Sequence, residues 1–404
     1  MTAQGRSVEP DPDVVVVGAG VIGAACAYYA TRAGLRVTVV DRGAPAGGTT
    51  GAGEGNLLVS DKEPGPELDL ARLSLRLWQE LAAELADGAG GFEYEAKGGL
   101  VVAGHAAELT VLRELAALQR AAGVDAREVA ADRLHDLEPH LAPDLAGAFH
   151  YPEDAQVQPA LAAARLLRAA RRAGAEVRLG EEVVDVLTTP GGAIRGVRTT
   201  RTELRTPAVV NAAGVWGGEV ARLAGAALPV LPRRGFVLVT EPLPRLVRHK
   251  VYAAGYVADV ASGSAALQTS PVVEGTPAGP VLIGASRERV GFDRTVSAEV
   301  LRRLARGAFD LFPVLAGASA IRTYCGFRPY LPDHLPAIGP DPRVPGLHHA
   351  CGHEGAGIGL APATGLLVAR ALTHSPPGAD LEPFRPERFD PPPSTAALPQ
   401  RDCA

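Results

Sequence analysis

Apolar residues run almost without interruption near the start of the chain. The stretch VVVVGAGVIGAACAYYATRAG at residues 14–34 opens on valines, passes through Gly18, Gly20 and Gly23, and continues with apolar residues at helical length. A second valine-rich stretch, VTVVD, ends at Asp41. This order predicts a strand, a tight turn, a helix and a second strand, which is the opening of a Rossmann-like domain.

The glycine spacing in that run suits a dinucleotide. Gly18 permits the turn, Gly20 lets the backbone approach a pyrophosphate, and Gly23 lets the helix pack closely on the strand. The helix N-terminus offers free N–H groups, and Asp41 can accept hydrogen bonds from ribose hydroxyls. The alternative is a membrane span, but the run falls short of the ~20 apolar residues that a bilayer requires, so no span is expected.

Helical and strand-like patterns alternate through the rest of the first half. The predicted elements are a helix at residues 66–86, a strand at 98–104, helices at 106–122 and around 130–137, a helix at 160–174, and strands within 175–189 and 193–211. The last valine strand runs into a turn of small residues at 211–214, which repeats the pattern of the opening motif. We therefore expect the chain to return there to the nucleotide domain.

The second half of the chain has a mainly strand-like pattern. Strand-like pieces dominate residues 228–321, and a helix is expected around 297–312, so the pattern predicts an antiparallel sheet with a helix on it. Further on, Gly355, Gly357 and Gly359 precede a helix that is predicted to begin near residue 361. They form a second glycine turn, far along the chain from the first.

Charge and cysteine content mainly exclude classes of partner and cofactor. The 404 residues carry a net charge of −5, so no nucleic-acid partner is indicated. Cys26, Cys325, Cys351 and Cys403 form no CxxC pair, so no metal site and no iron–sulfur cluster is predicted within this chain. We expect a soluble enzyme with free thiols in the cytoplasm.

A loop of small residues, GAPAGGTTGAGEGN at 43–56, follows the second strand. Such a backbone can wrap closely around a ligand, and the hydroxyls of Thr49 and Thr50 can reach phosphates. The alternative interpretation is a mobile surface loop. The sequence alone leaves both open.

Four ordered motifs carry a resemblance to a known family. They are GAGVIG with Asp41, VVNAAGVWGGEVARLAG, GFRPYLPDHLPAIGP and GHEGAGIGLAPATG. Together they resemble the FAD-dependent amino-acid oxidoreductases that include glycine oxidase, sarcosine oxidase and D-amino-acid dehydrogenases. The GHEGAG and EGNLLVSDKE segments are most similar to the flavin subunits of D-hydroxyproline dehydrogenases, opine oxidases and hydrogen cyanide synthase.

The resemblance implies an α/β fold, with a Rossmann-like FAD-binding domain and an α+β substrate domain built on an antiparallel sheet. The FAD-binding domain is expected to be discontinuous, at residues 1–90, 150–227 and 322–375. The substrate domain is expected at 91–149 and 228–321. Residues 376–404 form a Pro-rich tail that is expected to be partly disordered.

The resemblance also assigns residues to the cofactor. It implies that the ADP half and pyrophosphate of FAD are bound by Gly18, Ala19, Gly20, Val21, Ile22, Gly23, Asp41, Arg42, Thr49, Thr50 and Asn56. The backbone of Val183 is expected to contact the adenine. The flavin side falls to Ala213, Gly214, Trp216, Gly355, Ala356, Gly357, Ile358 and Gly359. A helix N-terminus at the second glycine turn can stabilise the negative charge that flavin reduction places at its N1 and O2 edge.

Arg328, in the GFRP motif, is the residue that the resemblance assigns to the substrate carboxylate. A guanidinium suits that task because its fork makes two parallel charge-assisted bonds; the alternative is a surface arginine before a proline. Tyr252 and Tyr256 are candidates for contact with the carboxylate or the ring, although core packing or a lid face is the favoured role. His353 and Glu354 are candidates for contact with substrate or flavin as a catalytic pair.

Two positions depart from the family. Sarcosine oxidases attach flavin through a cysteine at the place of Gly326, and Cys325 lies one residue early, so noncovalent FAD is expected. The tyrosine that assists carboxylate binding in glycine oxidase falls near Gln268. Its task must therefore pass to another residue or be absent.

The resulting hypothesis is oxidation of the C–N bond of a small amino or imino acid by hydride transfer to flavin N5. D-proline or D-4-hydroxyproline is the favoured substrate class, with an iron–sulfur or second flavoprotein subunit as electron acceptor. A glycine or sarcosine oxidase is the alternative. Two further alternatives are an NAD-dependent dehydrogenase, which fits the glycine fingerprint alone, and a flavin-bearing scaffold subunit without turnover.

Overall fold

The computed structural model describes residues 10–86 and 91–389 of the chain. The strands are β1 (Val14–Val17), β2 (Val37–Asp41), β3 (Asn56–Leu57), β4 (Gly99–Ala103), β5 (Arg127–Ala130), β6 (Gly147–Tyr151), β7 (Ala155–Gln156), β8 (Glu176–Leu179), β9 (Val183–Thr188), β10 (Ile194–Thr199), β11 (Glu203–Arg205), β12 (Val209–Asn211), β13 (Leu231–Thr240), β14 (Lys250–Ala253), β15 (Gln268–Gly275), β16 (Val281–Arg287), β17 (Ala320–Tyr330), β18 (Ala337–Pro340) and β19 (Leu347–Cys351). The helices are α1 (Val21–Arg32), α2 (Pro66–Glu84), α3 (Ala106–Ala121), α4 (Leu134–Leu137), α5 (Pro159–Arg172), α6 (Gly217–Leu223), α7 (Gly255–Ala261), α8 (Ala298–Leu311) and α9 (Gly357–Leu372).

A six-stranded sheet, in the order β18-β19-β12-β1-β2-β8, forms the first layer. All its neighbouring strands pair in parallel except β18, which is antiparallel to β19. Val14 and Val16 of β1 face a core shared with α1, whereas Val15 and Val17 face a second core shared with α6. Both faces of this central strand are therefore covered, which explains why its apolar run is continuous rather than alternating.

An eight-stranded sheet, in the order β17-β13-β16-β15-β14-β4-β6-β5, forms the second layer. Its pairs are antiparallel apart from β14 with β4. Helix α8 packs on one face through Val300, Leu304 and Ala308. The α/β fold class is confirmed, and the parallel pair differs from the expected antiparallel sheet because β4 enters the sheet from a distant part of the chain.

Two smaller sheets complete the described fold. Strands β11, β10 and β9 form an antiparallel sheet that packs with α6. Strands β3 and β7 form a short pair in which Asn56 lies opposite Gln156. This pair fixes the end of the loop of small residues that follows β2.

Several predicted boundaries differ from the structure. The helix expected around residues 130–137 is reduced to the short α4 after a 3-10 turn. The expected boundary between residues 321 and 322 falls inside β17, all of which belongs to the eight-stranded sheet. The division of the chain into domains stays a prediction.

The described part of the predicted tail, up to residue 389, is ordered. Residues 382–384 and 386–389 form 3-10 turns in which Phe384 is buried, and Arg388 pairs with Asp333. These contacts anchor the segment because an aromatic ring and a charged fork find partners on the body of the protein. The prolines at residues 391–393 lie outside the described residues.

Candidate functional site

A cavity of about 640 Å³ lies between the two large sheets. The ends of β1, β2 and β12 line one side, and strands β13 and β17 line the other. Both glycine turns open onto it. The cavity therefore joins the carboxyl ends of a parallel sheet, where α/β proteins bind nucleotides, to a face of the second sheet.

The first glycine turn is closed by its own backbone. Gly18 has a φ of +115°, and a Cβ there would clash with the carbonyl oxygen of Ala212. A Cβ on Gly23 would clash with the carbonyl oxygen of Gly18, whereas a Cβ on Gly20 would meet only Thr50 Oγ1, at 3.2 Å. Two of the three glycines are thus required by packing, and the third leaves the cavity side of the turn open.

Asp41 connects the two loops at the nucleotide end. Its Oδ2 accepts a hydrogen bond from the Ala19 N–H and its Oδ1 accepts one from the Gly43 N–H, both at 2.7 Å. The same side chain lines the cavity, and its carboxylate has further acceptor positions for a ligand. Next to it, the Arg42 guanidinium lies 3.8 Å from the ring centre of Trp216. Asp41 is therefore both an organiser of the loops and a candidate ribose contact.

The two threonine hydroxyls behave differently from each other. Thr49 Oγ1 donates to the carbonyl of Phe327 at 2.6 Å, so its proton is already used. Thr50 Oγ1 accepts from the Val21 N–H at 3.1 Å and keeps its own proton free. The loop is therefore fixed by hydrogen bonds to α1 and β17, and only Thr50 remains able to donate to a phosphate.

The second glycine turn presents a helix N-terminus to the cavity. Helix α9 begins at Gly357 without a side-chain cap, and Gly355, Gly357 and Ile358 line the cavity wall. The indole of Trp78 donates to the carbonyl of Ile358 at 3.0 Å and holds the turn. Free N–H groups and the positive end of the helix dipole thus face the space where a ligand would lie.

Arg328 extends from β17 into the cavity. Its Nη1 donates to the carbonyl of Ser286 at 2.8 Å, and within the described chain its guanidinium pairs with no carboxylate. Burial lowers the pKa of Arg328, and the charge of the nearby Arg287 lowers it further. An arginine with free donors inside a cavity is a candidate binding site for an anion, and the alternative of a surface arginine does not agree with this position.

His353 and Glu354 both line the cavity. His353 is buried, its Nε2 lies 3.0 Å from Thr364 Oγ1, and burial lowers its pKa to about 3, so the imidazole is neutral. Burial alone would raise the pKa of Glu354, but hydrogen bonds from His334 and Arg233 and their charges lower it. Both oxygens of Glu354 are thus already paired, and the two residues do not interact as an acid and a base.

The two candidate tyrosines lie together, with ring centres 5.0 Å apart, but only Tyr256 lines the cavity. Tyr252 is fully buried behind it, and its hydroxyl donates to Ser60 Oγ. Asp154 accepts from Ser60 in turn, and burial raises the pKa of Asp154 to about 7. For Tyr252 the structure agrees with the core-packing interpretation rather than with a substrate contact.

Most of the residues proposed from the sequence meet at this one cavity. Its lining includes Gly18, Gly20, Val21, Ile22, Asp41, Arg42, Thr49, Thr50, Asn56, Val183, Ala213, Gly214, Trp216, Tyr256, Arg328, His353, Glu354, Gly355, Gly357 and Ile358. The lining does not include Ala19, Gly23, Tyr252, Ala356 and Gly359. Cys325 also lies off this wall, whereas Gly326 is on it.

Sequence reasoning missed two charged residues near the substrate end. Glu54 is buried and lines the cavity, and Arg233 is buried where it pairs with Glu354 and Gln268. The signal for Glu54 was an acid inside a loop of small residues, which a solvated loop explains equally well. Arg233 lies opposite Arg328 in the β13–β17 pair, a register that the sequence does not reveal.

The arrangement fits a dinucleotide that carries a redox ring. One end offers a glycine turn, a helix N-terminus and a carboxylate, and the other offers a second helix N-terminus and an unpaired arginine. Within the described ranges, no cluster of His, Cys, Asp and Glu could hold a metal ion. No helix in the same part of the chain is long and apolar enough to cross a membrane.

Comparison with known proteins agrees with this geometry. Residues 13–371 match the family described as FAD dependent oxidoreductase, DAO. The chain is 32% identical to hydrogen cyanide synthase subunit HcnC of Pseudomonas aeruginosa, over 96% of this chain and 98% of that one. It is also 32% identical to glycine oxidase of Geobacillus kaustophilus, over 92% and 96% of the two chains.

A solved structure is similar as well. The crystal structure of glycine oxidase from Geobacillus kaustophilus superposes with a TM-score of 0.85 at 31% identity. The superposition covers 93% of this chain and 98% of that one. The similarity therefore extends over both sheets and the cavity between them.

Proposed function

Because the chain belongs to the DAO family of FAD dependent oxidoreductases, we propose that its cavity binds FAD noncovalently and a small amino or imino acid beside it. The chain is an FAD-dependent oxidoreductase that acts on CH–NH or CH–NH2 groups. This membership confirms the family resemblance and removes the NAD-dependent alternative. The finer assignment, a dehydrogenase of D-proline or D-4-hydroxyproline type, is the proposal.

Arg328 is the observation that carries the proposal. Its guanidinium lies within a cavity, keeps donors free and pairs with no carboxylate of the described chain. A substrate carboxylate supplies the missing partner through two parallel hydrogen bonds, and it would lie beside the second glycine turn. Substrate binding at this residue fixes the orientation of the α carbon, and positioning is a large part of what such a reaction requires.

The remaining residues have roles toward the cofactor. FAD, when bound, supplies the hydride acceptor. The first glycine turn and Asp41 would hold its ADP half, and the N-terminus of α9 would stabilise negative charge at the reduced ring. Burial raises the pKa of Cys325, and this thiol lies off the main cavity wall, which supports a noncovalent cofactor.

The electron acceptor is the second part of the proposal. We favour a partner subunit that carries an iron–sulfur cluster or a second flavin, because one similar protein is named as a subunit of hydrogen cyanide synthase. An oxidase of glycine or sarcosine is the second candidate, since glycine oxidase is equally similar. A scaffold subunit without turnover is the third candidate. It is disfavoured because Arg328 keeps free donors for a substrate carboxylate inside the cavity.

Flavin reoxidation distinguishes the candidates. The purified protein is reduced anaerobically with D-proline, D-4-hydroxyproline, glycine or sarcosine, air is admitted, and flavin absorbance is followed beside hydrogen peroxide release. A dehydrogenase gives slow reoxidation that an artificial acceptor dye accelerates. Reoxidation at the rate of turnover with stoichiometric peroxide identifies an oxidase, and a flavin that no amino or imino acid reduces identifies a scaffold.

A further inference from the structure

A buried carboxylate in the cavity has one oxygen without a partner. Glu54 is only 9% exposed and lines the cavity. Its Oε2 accepts from Asn56 Nδ2 at 3.4 Å, whereas its Oε1 has no hydrogen-bond partner among the described residues. Buried polar atoms in folded proteins are rarely left unpaired, so the free oxygen indicates a missing donor.

Two amide oxygens in the neighbouring β3–β7 pair also have no donor among the described residues. Asn56 Oδ1, on the cavity wall, is one of them, and Oε1 of Gln156, the residue opposite Asn56 and outside that wall, is the other. All of these unpaired atoms are hydrogen-bond acceptors. A ligand group that carries several N–H bonds, and no acceptor of its own, would satisfy them best.

The backbone opposite Glu54 leaves space for this carboxyl group. A Cβ on Gly284 of β16 would clash with Glu54 Oε1. Only glycine at residue 284 is therefore compatible with the observed position of the carboxyl group. The same strand also contacts Arg328, through the carbonyl of Ser286.

Strand β16 contacts both charged groups. Gly284 faces Glu54, and the carbonyl of Ser286 accepts from Arg328 Nη1 at 2.8 Å. The two groups also lie close enough for their charges to interact, since the charge of Arg328 is among those that lower the pKa of Glu54 against the effect of burial. An α-amino acid carries its carboxylate and amino group on one carbon, so it presents an acceptor to Arg328 and a donor to Glu54 at the same time.

We infer that Glu54 binds the amino group of the substrate while Arg328 binds its carboxylate. The inference rests on the proposed function and adds a specificity-determining residue to it. A ligand with a carboxylate but no N–H group would satisfy Arg328 alone. The pair therefore selects amino and imino acids from other carboxylic acids.

Other charges around Glu54 do not replace the ligand. Lys250 from β14 forms an ion pair with Glu274 from β15, so its charge is already shared with another carboxylate. Burial raises the pKa of Glu54, and the charges of Lys250 and Arg328 oppose that rise. Tyr324 from β17 carries a phenol whose pKa Glu54 helps to raise. The carboxyl group thus lies among charged neighbours and keeps one oxygen for a donor.

Binding of a matched pair of ligands tests the inference without turnover. The holoprotein is reduced with dithionite under anaerobic conditions, and calorimetry measures the dissociation constants of D-proline and tetrahydrofuran-2-carboxylate. The second ligand replaces the ring N–H with oxygen and keeps the carboxylate. Glycine and acetate form a second pair with the same logic.

Three variants give the expected pattern. Glu54→Gln weakens D-proline binding roughly tenfold or more and leaves tetrahydrofuran-2-carboxylate unchanged, because only the amino contact is lost. Gly284→Ala keeps the carboxylate but displaces it, so the same selective loss is expected. Glu63→Gln makes the same chemical change at an exposed position and alters neither constant.

Several outcomes overturn the inference. Equal weakening of both ligands by Glu54→Gln would place Glu54 against the carboxylate, and loss of FAD with an unchanged ligand ratio would place it against the cofactor. Wild-type protein that binds D-proline and glycine no better than their analogues also contradicts it. The proposed function fails separately, if no amino or imino acid reduces the wild-type flavin.

Discussion

The two glycine turns of the cavity resemble each other in sequence and differ in what they require. In the first turn, a Cβ on Gly18 or Gly23 would clash with backbone carbonyl oxygens. In the second, a Cβ on Gly357 or Gly359 would meet its nearest protein atom at 3.4 or 3.5 Å, which is ordinary contact. The first turn needs glycine in order to fold, and the second has room for a side chain as far as the protein is concerned.

This difference assigns different tasks to the two turns. The first turn is a rigid element that brings a strand and a helix together, and its nucleotide site follows from that packing. The second turn has Gly355 and Gly357 at the wall of a cavity, where packing does not require glycine. We attribute them to the ligand, which requires bare backbone N–H groups at close range.

Gly23→Ala should have the largest effect, because its Cβ has no space between α1 and β1. We expect a loss of stability at the upper end of about 1–3 kcal/mol and little bound FAD. Thermal unfolding and the flavin content of purified protein measure both. Gly359→Ala is the matched control and should fold normally; equal destabilisation by both changes would break the distinction between the turns.

Arg328→Lys should have the next largest effect and should act only at the substrate end. A point charge replaces the fork, so the apparent substrate constant should rise roughly tenfold, on a scale of ~1.5–3 kcal/mol for a hydrogen bond to a charged group. FAD content should stay normal. Arg322→Lys changes an exposed residue of the same strand and should leave kinetics unaltered; wild-type kinetics in both variants would remove Arg328 from the substrate site.

Gly357→Ala should change FAD binding without harming the fold. Replacing a glycine at the start of α9 is neutral or favourable by up to roughly 0.5–1 kcal/mol, because the unfolded chain loses freedom. The added methyl group lies at the cavity wall, so we expect the dissociation constant for FAD to rise severalfold. The melting temperature should be unchanged or slightly higher. A variant that binds FAD as well as the wild type would indicate that the second turn does not approach the cofactor.

His353 should give the smallest effect at neutral pH, because its contribution there appears only as a pH dependence of stability at lower pH. Burial lowers its pKa from 6.5 to about 3. Below about pH 6.5 the unfolded chain therefore binds a proton at this imidazole, whereas the folded protein does not until about pH 3. The free energy of unfolding therefore does not depend on this group above about pH 6.5. Below that pH it falls by no more than about 1.4 kcal/mol per pH unit. Denaturant unfolding from pH 7 to 4 should therefore show a shallower slope in His353→Gln. His105→Gln, at an exposed position, should keep the wild-type slope; an unchanged slope in His353→Gln would contradict the buried neutral imidazole.

The sequence was sufficient to predict the parts of the site that depend on local pattern. Gly18, Gly20 and Asp41 belong to one βαβ unit, and their spacing alone determines how they meet. Arg328 was found through a resemblance, because an arginine before a proline has no intrinsic signal. Its free donors became evident only from the cavity around it.

Other features depend on pairings between distant segments. The Thr49 hydroxyl donates to Phe327, and the Tyr252 hydroxyl donates to Ser60. No periodicity along the chain records such contacts, so a loop hydroxyl was predicted to be free and a core tyrosine was a candidate for the site. Glu54 was missed for the same reason, since its burial results from β16 lying against it.

Anaerobic titration of the purified protein with amino and imino acids is the most direct test of FAD-dependent amino-acid oxidation at this cavity. We expect a yellow protein whose flavin absorbance is bleached by at least one of D-proline, D-4-hydroxyproline, glycine and sarcosine. We also expect Arg328→Lys to require roughly tenfold more of the same compound for the same amplitude. A colourless protein, or a flavin that dithionite bleaches and none of these compounds does, would contradict this function.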